Sequence, residues 1–363
     1  MRLRINKEDF LNGIQTVQNV ITPKNTLPIL SYILIDLGNK ELKLTATDLD
    51  IGISCVVPVE TIEQGSISLP AKKTLDIIRE LPNGNIELTT KKNNLTIIEI
   101  ENCQFKIMGL TKEEFPRLPE FKDKEVLTID QGVLKEIFNL TSFAVSHEET
   151  RYVLNGVFLK INNNSMVGVA TDGKRLSLVE KNIPIKTNKE IKAIIPIKAV
   201  HEILKNLKED EPCSMIIGNN QIFFDLNRVC VVSRLIEGEF PDYQQVVPKP
   251  SENKMKINRE KLFLGIKRAA LLSTPDYQAI KLEILKNKLV VSKSTPDLGE
   301  SREEIDMEYQ GKDLVVGFNP YYLIDVLKNI KEEDVMLEVT DSEKPGVMRL
   351  GGYLYMMMPM RLS

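Results

Sequence analysis

The sequence has no tryptophan and only two histidines, His147 and His201, among 363 residues. Its four cysteines, Cys55, Cys103, Cys213 and Cys230, form no C-x-x-C pair, and none neighbours a histidine. Zinc-ligand spacing is therefore absent, and reduced, mostly buried thiols are expected. No apolar run approaches the ~18 residues of a membrane span, so no membrane partner is expected. The opening residues Met1-Arg2-Leu3-Arg4-Ile5-Asn6 alternate polar and apolar, without the apolar core of a secretory signal. A cytoplasmic location is expected. An excess of positive charge is missing as well: 48 Lys and Arg face 51 Asp and Glu, a formal net charge of −3. A globally basic nucleic-acid binder is excluded, whereas a protein with positive charge gathered on one surface is not.

Catalytic signatures are also lacking. There is no G-x-S-x-G and no H-E-x-x-H. His147 lies in a polar stretch with no nucleophile beside it, and His201 falls within a helix and reads as structural. The acidic pairs Asp48/Asp50 and Glu303/Glu304 fall in loops or solvated strands, where nothing sets one carboxyl as acid and the other as base. The stretch from Gly168 to Arg175 comes close to the phosphate loop G-x-x-x-x-G-K-[ST]. Arg175 stands where that loop needs Ser or Thr for magnesium. The following Leu176-Ser177-Leu178-Val179 alternates like a strand, whereas a phosphate loop must feed a helix. Asp172-Gly173 reads instead as a tight hairpin turn. No enzyme activity, catalytic residue, metal or cofactor is expected.

What the chain does contain is repetition. Hydrophobic residues make up 42% and charged residues 27%, ordinary for a globular protein, and the length suits two or three domains. Asn6, Asp130 and Asn258 each cap a helical pattern, with apolar stripes Phe10/Ile14/Val17, Leu134/Phe138 and Leu262/Ile266/Ala269. Hairpin strands follow at Tyr32–Leu37, Gly156–Ile161 and Ile280–Leu285, each ending at a turn signal. A second helix recurs over Lys72 to Leu81, Lys198 to Leu207 and Tyr321 to Ile330. Glu114-Phe115-Pro116 and Glu239-Phe240-Pro241 close the first two units alike, before Pro- and charge-rich linkers at 119–124 and 248–253. The domains are placed at 1–124, 125–250 and 251–363. Many hairpins and few helices give an α+β class built on antiparallel sheets, with two helices per repeat.

Basic residues gather on these helices: Lys72, Lys73 and Arg79; Lys198, Lys205 and Lys208; Arg259, Lys261, Lys267 and Arg268; Lys328 and Lys331. Two readings stand for them, a solvated helix face and a phosphate-facing one. No aromatic-interleaved basic strand suggests single-strand stacking. The end of the chain, Tyr355-Met356-Met357-Met358-Pro359-Met360, also supports two readings. It is either a last core strand or a thioether-rich surface suited to several peptides.

Several segments resemble the bacterial DNA sliding clamp, the beta subunit of DNA polymerase III. They are Thr26-Leu-Pro-Ile-Leu30, Leu44-Thr-Ala-Thr-Asp-Leu49, Arg151-Tyr-Val-Leu-Asn-Gly156 and Val169-Ala-Thr-Asp-Gly-Lys-Arg-Leu176. Glu239-Phe-Pro-Asp-Tyr243, Gly317-Phe-Asn319 with Tyr322, and Met358-Pro-Met-Arg-Leu362 extend the resemblance over the whole chain. It implies a DNA-clamp fold of three domains per chain and a homodimeric ring around duplex DNA. The function implied is that of a processivity factor, whose partners are the replicative polymerase, the clamp loader, and other polymerases and repair proteins.

The resemblance also implies sites. One apolar peptide subsite comprises Leu154, Thr171, Gly173, Arg175, Leu176, Pro241, Val246, Met356 and Met358, with Lys174 in its turn. An adjoining subsite comprises Arg151, Asn319, Tyr322, Pro359, Met360 and Arg361. Lys174, Gln245 and Ser363 depart from the better-known pattern. DNA contact without base specificity is expected from Lys24, Arg79, Tyr152 and Lys198. The dimer is expected to join the first and third repeats of opposite chains, through Phe105 and Ile107 against Leu271 and Leu272. The competing reading is a repeat-built interaction scaffold without DNA.

Overall fold

A strand runs straight into a helix three times in the chain because an Asn or Asp ends the strand and caps the helix. The strands are Arg2–Asn6, Leu127–Asp130 and Lys254–Asn258, followed by α1 (Lys7–Gln18), α3 (Gln131–Thr141) and α5 (Arg259–Ala270). The Asn6 Oδ1 accepts from the Glu8 amide at 2.9 Å, the Asp130 Oδ1 from Val133 at 3.2 Å, and the Asn258 Oδ1 from Lys261 at 3.1 Å. Each bond satisfies an amide that the helix itself leaves unpaired. The expected stripes are buried: Phe10, Ile14 and Val17; Leu134 and Phe138; Leu262, Ile266 and Ala269. This computed structural model describes residues 1–21, 27–119, 121, 125–185, 187 and 189–362. Lys24, Thr26 and Ser363 lie outside the described residues, as does most of the expected linker at 119–124.

Gly13 and Gly265 stand at the same place in α1 and α5, seven residues beyond the capping asparagine. A Cβ at Gly13 would come within 2.7 Å of Leu44 and 2.8 Å of Val57; one at Gly265 would come within 2.8 Å of Ile305. Absence of a side chain lets each helix lie tightly on its own sheet.

The second helices are α2 (Ala71–Glu80), α4 (Ile197–Asn206) and α6 (Pro320–Asn329). Each begins and ends one residue earlier than expected from the sequence. The last residues of the expected spans, Leu81, Leu207 and Ile330, are buried but lie outside the helices. Leu81 and Ile330 have turned to extended backbone, ψ 152° in both, while their amides still bond to the carbonyls of Ile77 and Val326. Burial constrains the side chain and leaves the backbone free to exit. His201 stands exposed on α4, whereas Glu202 beside it is buried, a position the apolar pattern did not mark.

The chain forms two compact units. The first joins residues 1–134 and 198–235; the second joins 135–197 and 236–363. In the first, α1 packs against α2, and the strands form a five-stranded and an eight-stranded sheet. The five-stranded sheet ends on Cys103–Met108 as an edge strand. In the eight-stranded sheet, Val229–Arg234 pairs with Ile51–Pro58, so strands of the middle repeat continue a sheet of the first. In the second unit, α5 packs against α6 beside a twelve-stranded sheet. There Arg175–Asn182 pairs with Tyr353–Met357, so the rest of the middle repeat continues a sheet of the last. The strand pairings described are antiparallel, as the hairpin pattern predicts. The three hairpin strands Tyr32–Leu37, Gly156–Ile161 and Ile280–Leu285 have the predicted bounds.

Burial pushes the Cys55 and Cys213 thiols up to about 12, and Cys230 is half-buried. Cys103 is exposed, because it lies on the edge strand. No helix among the described residues is long and apolar enough to cross a membrane.

Candidate partner-binding cleft and basic helix face

The cleft is built in the second unit on the turn at Asp172–Lys174. Strand Ser165–Thr171 leads into it and strand Arg175–Asn182 leads out, so the glycine-rich stretch joins two strands and no helix follows it. The Asp172 Oδ1 accepts the amides of Lys174 and Arg175, each at 2.9 Å, and the Thr171 hydroxyl donates to the Arg175 carbonyl at 2.6 Å. Gly173 has φ +85°, and a Cβ there would lie 2.6 Å from Nη1 of Arg151. Glycine meets both the turn and the close approach. Arg151 uses that room to donate to the Asp172 carbonyl at 3.0 Å, while its Nε pairs with Glu148 at 3.1 Å.

Arg175 anchors the cleft wall. Its guanidinium donates to Asp172 at 3.0 Å, to Asp325 at 2.6 Å and to the Phe143 carbonyl at 2.6 Å. It also lies 4.5 Å from the Tyr322 ring centroid and 5.7 Å from that of Phe143. A planar fork of donors serves these partners and stacks at once, which a lysine could not do. One arginine thereby ties the turn, α6 and the segment after α3 together. Burial opposes its charge, but nearby Tyr355 and the Asp325 carboxylate hold the guanidinium above its ordinary range.

Leu154, Leu176 and Met356 are buried, and Leu176 pairs with Met356 across neighbouring strands. Val246 and Met358 stand out by contrast, 55% and 42% exposed. Pro241 and Lys174 are exposed too. The Met358 amide donates to the Lys174 carbonyl at 2.8 Å, which ties the end of the chain to the turn. The Met360 amide donates to the Gly317 carbonyl at 2.8 Å, which carries the chain past Asn319 at the start of α6. Asn319 caps that helix through the Tyr321 amide at 3.0 Å, and the Tyr322 carbonyl accepts from the Tyr355 hydroxyl at 2.9 Å. Pro359 and Met360 are half-buried and Arg361 is exposed. Buried apolar groups beneath exposed thioether and valine make a surface that can take an extended apolar segment. Sequence reasoning missed Phe143 and Asp325. Asp325 had one signal, its place three residues after Tyr322 on the same helix face; a carbonyl at Phe143 leaves no mark in sequence.

The residues expected at DNA are not gathered in one unit. Arg79 is exposed in the last turn of α2, and Lys198 opens α4 with its ammonium paired to Asp48; both belong to the first unit. Tyr152, 57% exposed, belongs to the second. Of the other helix cations, Arg268 pairs with Glu303, Lys205 with Glu202 and Lys208 with Glu211. Among the residues expected at the dimer contact, Phe105 and Ile107 lie on the edge strand Cys103–Met108. Leu271 follows α5 at 79% exposure, so it does not finish that helix inside its own unit, and Leu272 is half-buried.

Threefold α+β repetition, two helices per repeat and a cleft at the terminal strand define the DNA-clamp class of fold. Family models for the DNA polymerase III beta subunit match the chain three times: the N-terminal domain at residues 1–119, the central domain at 128–242 and the C-terminal domain at 244–361. The beta sliding clamp of Chlamydia muridarum is 35% identical over 100% of this chain and 99% of that protein. That of Pseudomonas putida is 32% identical, with both chains covered fully. The crystal structure of the DNA polymerase sliding clamp from Bacillus subtilis covers both chains fully at TM-score 0.95 and 28% identity. A Pseudomonas aeruginosa sliding clamp bound to griselimycin matches at TM-score 0.94 and 31% identity, again over both full chains. The chain belongs to the DNA polymerase III beta-subunit family, the beta sliding clamps.

Proposed function

We propose that this protein is a DNA polymerase processivity factor whose two copies close into a ring around duplex DNA. The observation that carries this reading is the match of all three family domains, in order, over the length of the chain. Domains 1–124, 125–250 and 251–363 each supply two helices toward the duplex. Arg79, Tyr152, Lys198 and Lys24 meet phosphates without reading bases, so the ring slides, and topology rather than affinity retains it. The ring closes where Phe105 and Ile107 of one copy meet Leu271 and Leu272 of the other. The exposure of Phe105 on an edge strand and of Leu271 beyond α5 supports that pairing.

The cleft tethers the replicative polymerase, the clamp loader, other polymerases and repair proteins through short peptides. The peptide carries a glutamine, then leucine and a final aromatic or leucine. The glutamine lies toward Arg151, Asn319, Tyr322, Pro359, Met360 and Arg361. The apolar tail lies on Leu154, Leu176, Met356, Val246 and Met358, beside Thr171, Gly173, Lys174, Arg175 and Pro241. The role calls for no catalysis and is performed in the cytoplasm. Retention on nicked circular DNA, with loss after linearisation, tests it. Equal retention on both would leave an interaction scaffold without a topological link.

A further inference from the structure

The apolar floor of the cleft does not stop at Leu176. Along Arg175–Asn182, residues Leu176, Leu178 and Glu180 share one face of the sheet, with ~6.7 Å between alternate residues. Opposite them on the neighbouring strand stand Thr171, Val169 and Val167. Leu176 and Val167 belong to one buried apolar cluster, against which Leu178, Tyr243 and Val247 pack. On either side of the exposed Val246 in the chain, Tyr243 and Val247 border a cavity of ≈ 420 Å3 that Val167, Leu178, Lys160 and Glu180 also line. Lys160 and Glu180 are the charged residues of this lining. Lys160 already pairs with Glu190 at 2.9 Å. Glu180 is exposed and forms no salt bridge among the described residues, although Lys160 lies near enough to interact with its charge.

We propose that this cavity is a third subsite of the peptide groove, taking the residues that follow the apolar tail of a partner peptide and favouring a lysine or arginine against Glu180. The inference rests on the proposed peptide site and deepens it. Continuity selects the occupant: the same strand face that meets the tail at Leu176 leads to the cavity at Leu178 and Glu180. Four residues of extended chain span that stretch, ~13 Å. A lysine two residues beyond the tail covers the remainder with its four-carbon stem. Charge selects the sign, because the Glu180 carboxylate forms no salt bridge among the described residues, whereas Lys160, though close enough to feel Glu180, is held by Glu190.

Fluorescence anisotropy on the full-length dimer tests this with three labelled peptides. One ends at the tail phenylalanine, one continues Val-Lys and one continues Val-Glu. The Val-Lys peptide should bind about fivefold tighter than the peptide ending at phenylalanine, the scale of one exposed ion pair with its apolar support. The Val-Glu peptide should gain less, Glu180→Gln should level the two extended peptides, and Glu180→Lys should reverse their order. Circular dichroism and dimer mass verify that the variants fold. If the shortest peptide binds while neither extension changes affinity, the third subsite is wrong and the peptide site stands. A Lys preference that survives in Glu180→Lys also overturns it. If the shortest peptide does not bind at all, both assignments fall.

Discussion

Arg175 is the residue on which the cleft depends, because one side chain that is 10% exposed serves two carboxylates, a carbonyl and a ring. Arg175→Ala leaves the Asp172 and Asp325 side chains and the Phe143 carbonyl short of a donor. Breaking such a partly buried pair costs about 3 kcal/mol. We expect a lower urea midpoint for Arg175→Ala and a loss of peptide binding by anisotropy. Arg175→Lys should recover little of either, since an ammonium cannot hold the fork and stack on Tyr322. Gly173 is the second such position. Gly173→Ala places a side chain at φ +85°, which costs ~1 kcal/mol, and pushes Arg151 off the Asp172 carbonyl. Peptide affinity should fall while dimer mass stays unchanged; unaltered affinity would free the turn from any role in the cleft. At this scale sequence and structure part in an instructive way. The turn at Gly173 is readable from a local signal and Arg175 and Leu176 enter through the family resemblance, whereas Phe143 contributes only a backbone oxygen that any residue could supply.

At the scale of elements, the terminal segment joins the cleft through two backbone hydrogen bonds, Met358 to Lys174 and Met360 to Gly317. The strand Tyr353–Met357 before it is buried throughout. Its methionine-rich sequence is therefore core strand up to Met357, and the chain reaches the surface at Met358. Deleting Met358 to Ser363 should abolish peptide binding and leave circular dichroism and dimer mass intact, because few core contacts depend on those residues. Peptide binding at full affinity in the truncated dimer would remove the tail from the cleft. The starts of α1, α3 and α5 are legible in Asn6, Asp130 and Asn258, whereas α2 and α6 end before Leu81 and Ile330, whose side chains stay buried after the backbone has turned away.

At the scale of the whole molecule, the dimer contact and the DNA contact are open to measurement. Leu271→Ala with Leu272→Ala removes the apolar surface left exposed beyond α5, and sedimentation should then find monomer; an intact dimer would redirect the contact elsewhere. DNA binding should weaken by ~0.9 log units per phosphate contact per log unit of salt, equally for all duplex sequences. Lys198 is already partnered by Asp48, whereas Arg79 has no ion-pair partner among the described residues. Arg79→Ala should therefore flatten the salt dependence more than Lys198→Ala, and Asp48→Asn should tighten binding by releasing the ammonium. A clear preference for one duplex sequence would contradict the phosphate-only reading.

The sequence by itself determined the threefold repeat, the α+β class, the capped helix starts and the hairpin strands. These depend on periodicity, capping and turn chemistry, which act over a few neighbouring residues. Tertiary structure alone decided how the middle repeat divides, its Val229–Arg234 strand extending a sheet of the first repeat and its Arg175–Asn182 strand one of the last. It also decided that Lys198 would be partnered by a carboxylate 150 residues away and Arg175 by one equally distant. The physical reason is shared: sheet edges and lone charges are satisfied by whatever the fold brings near, and no local pattern records which distant group that will be.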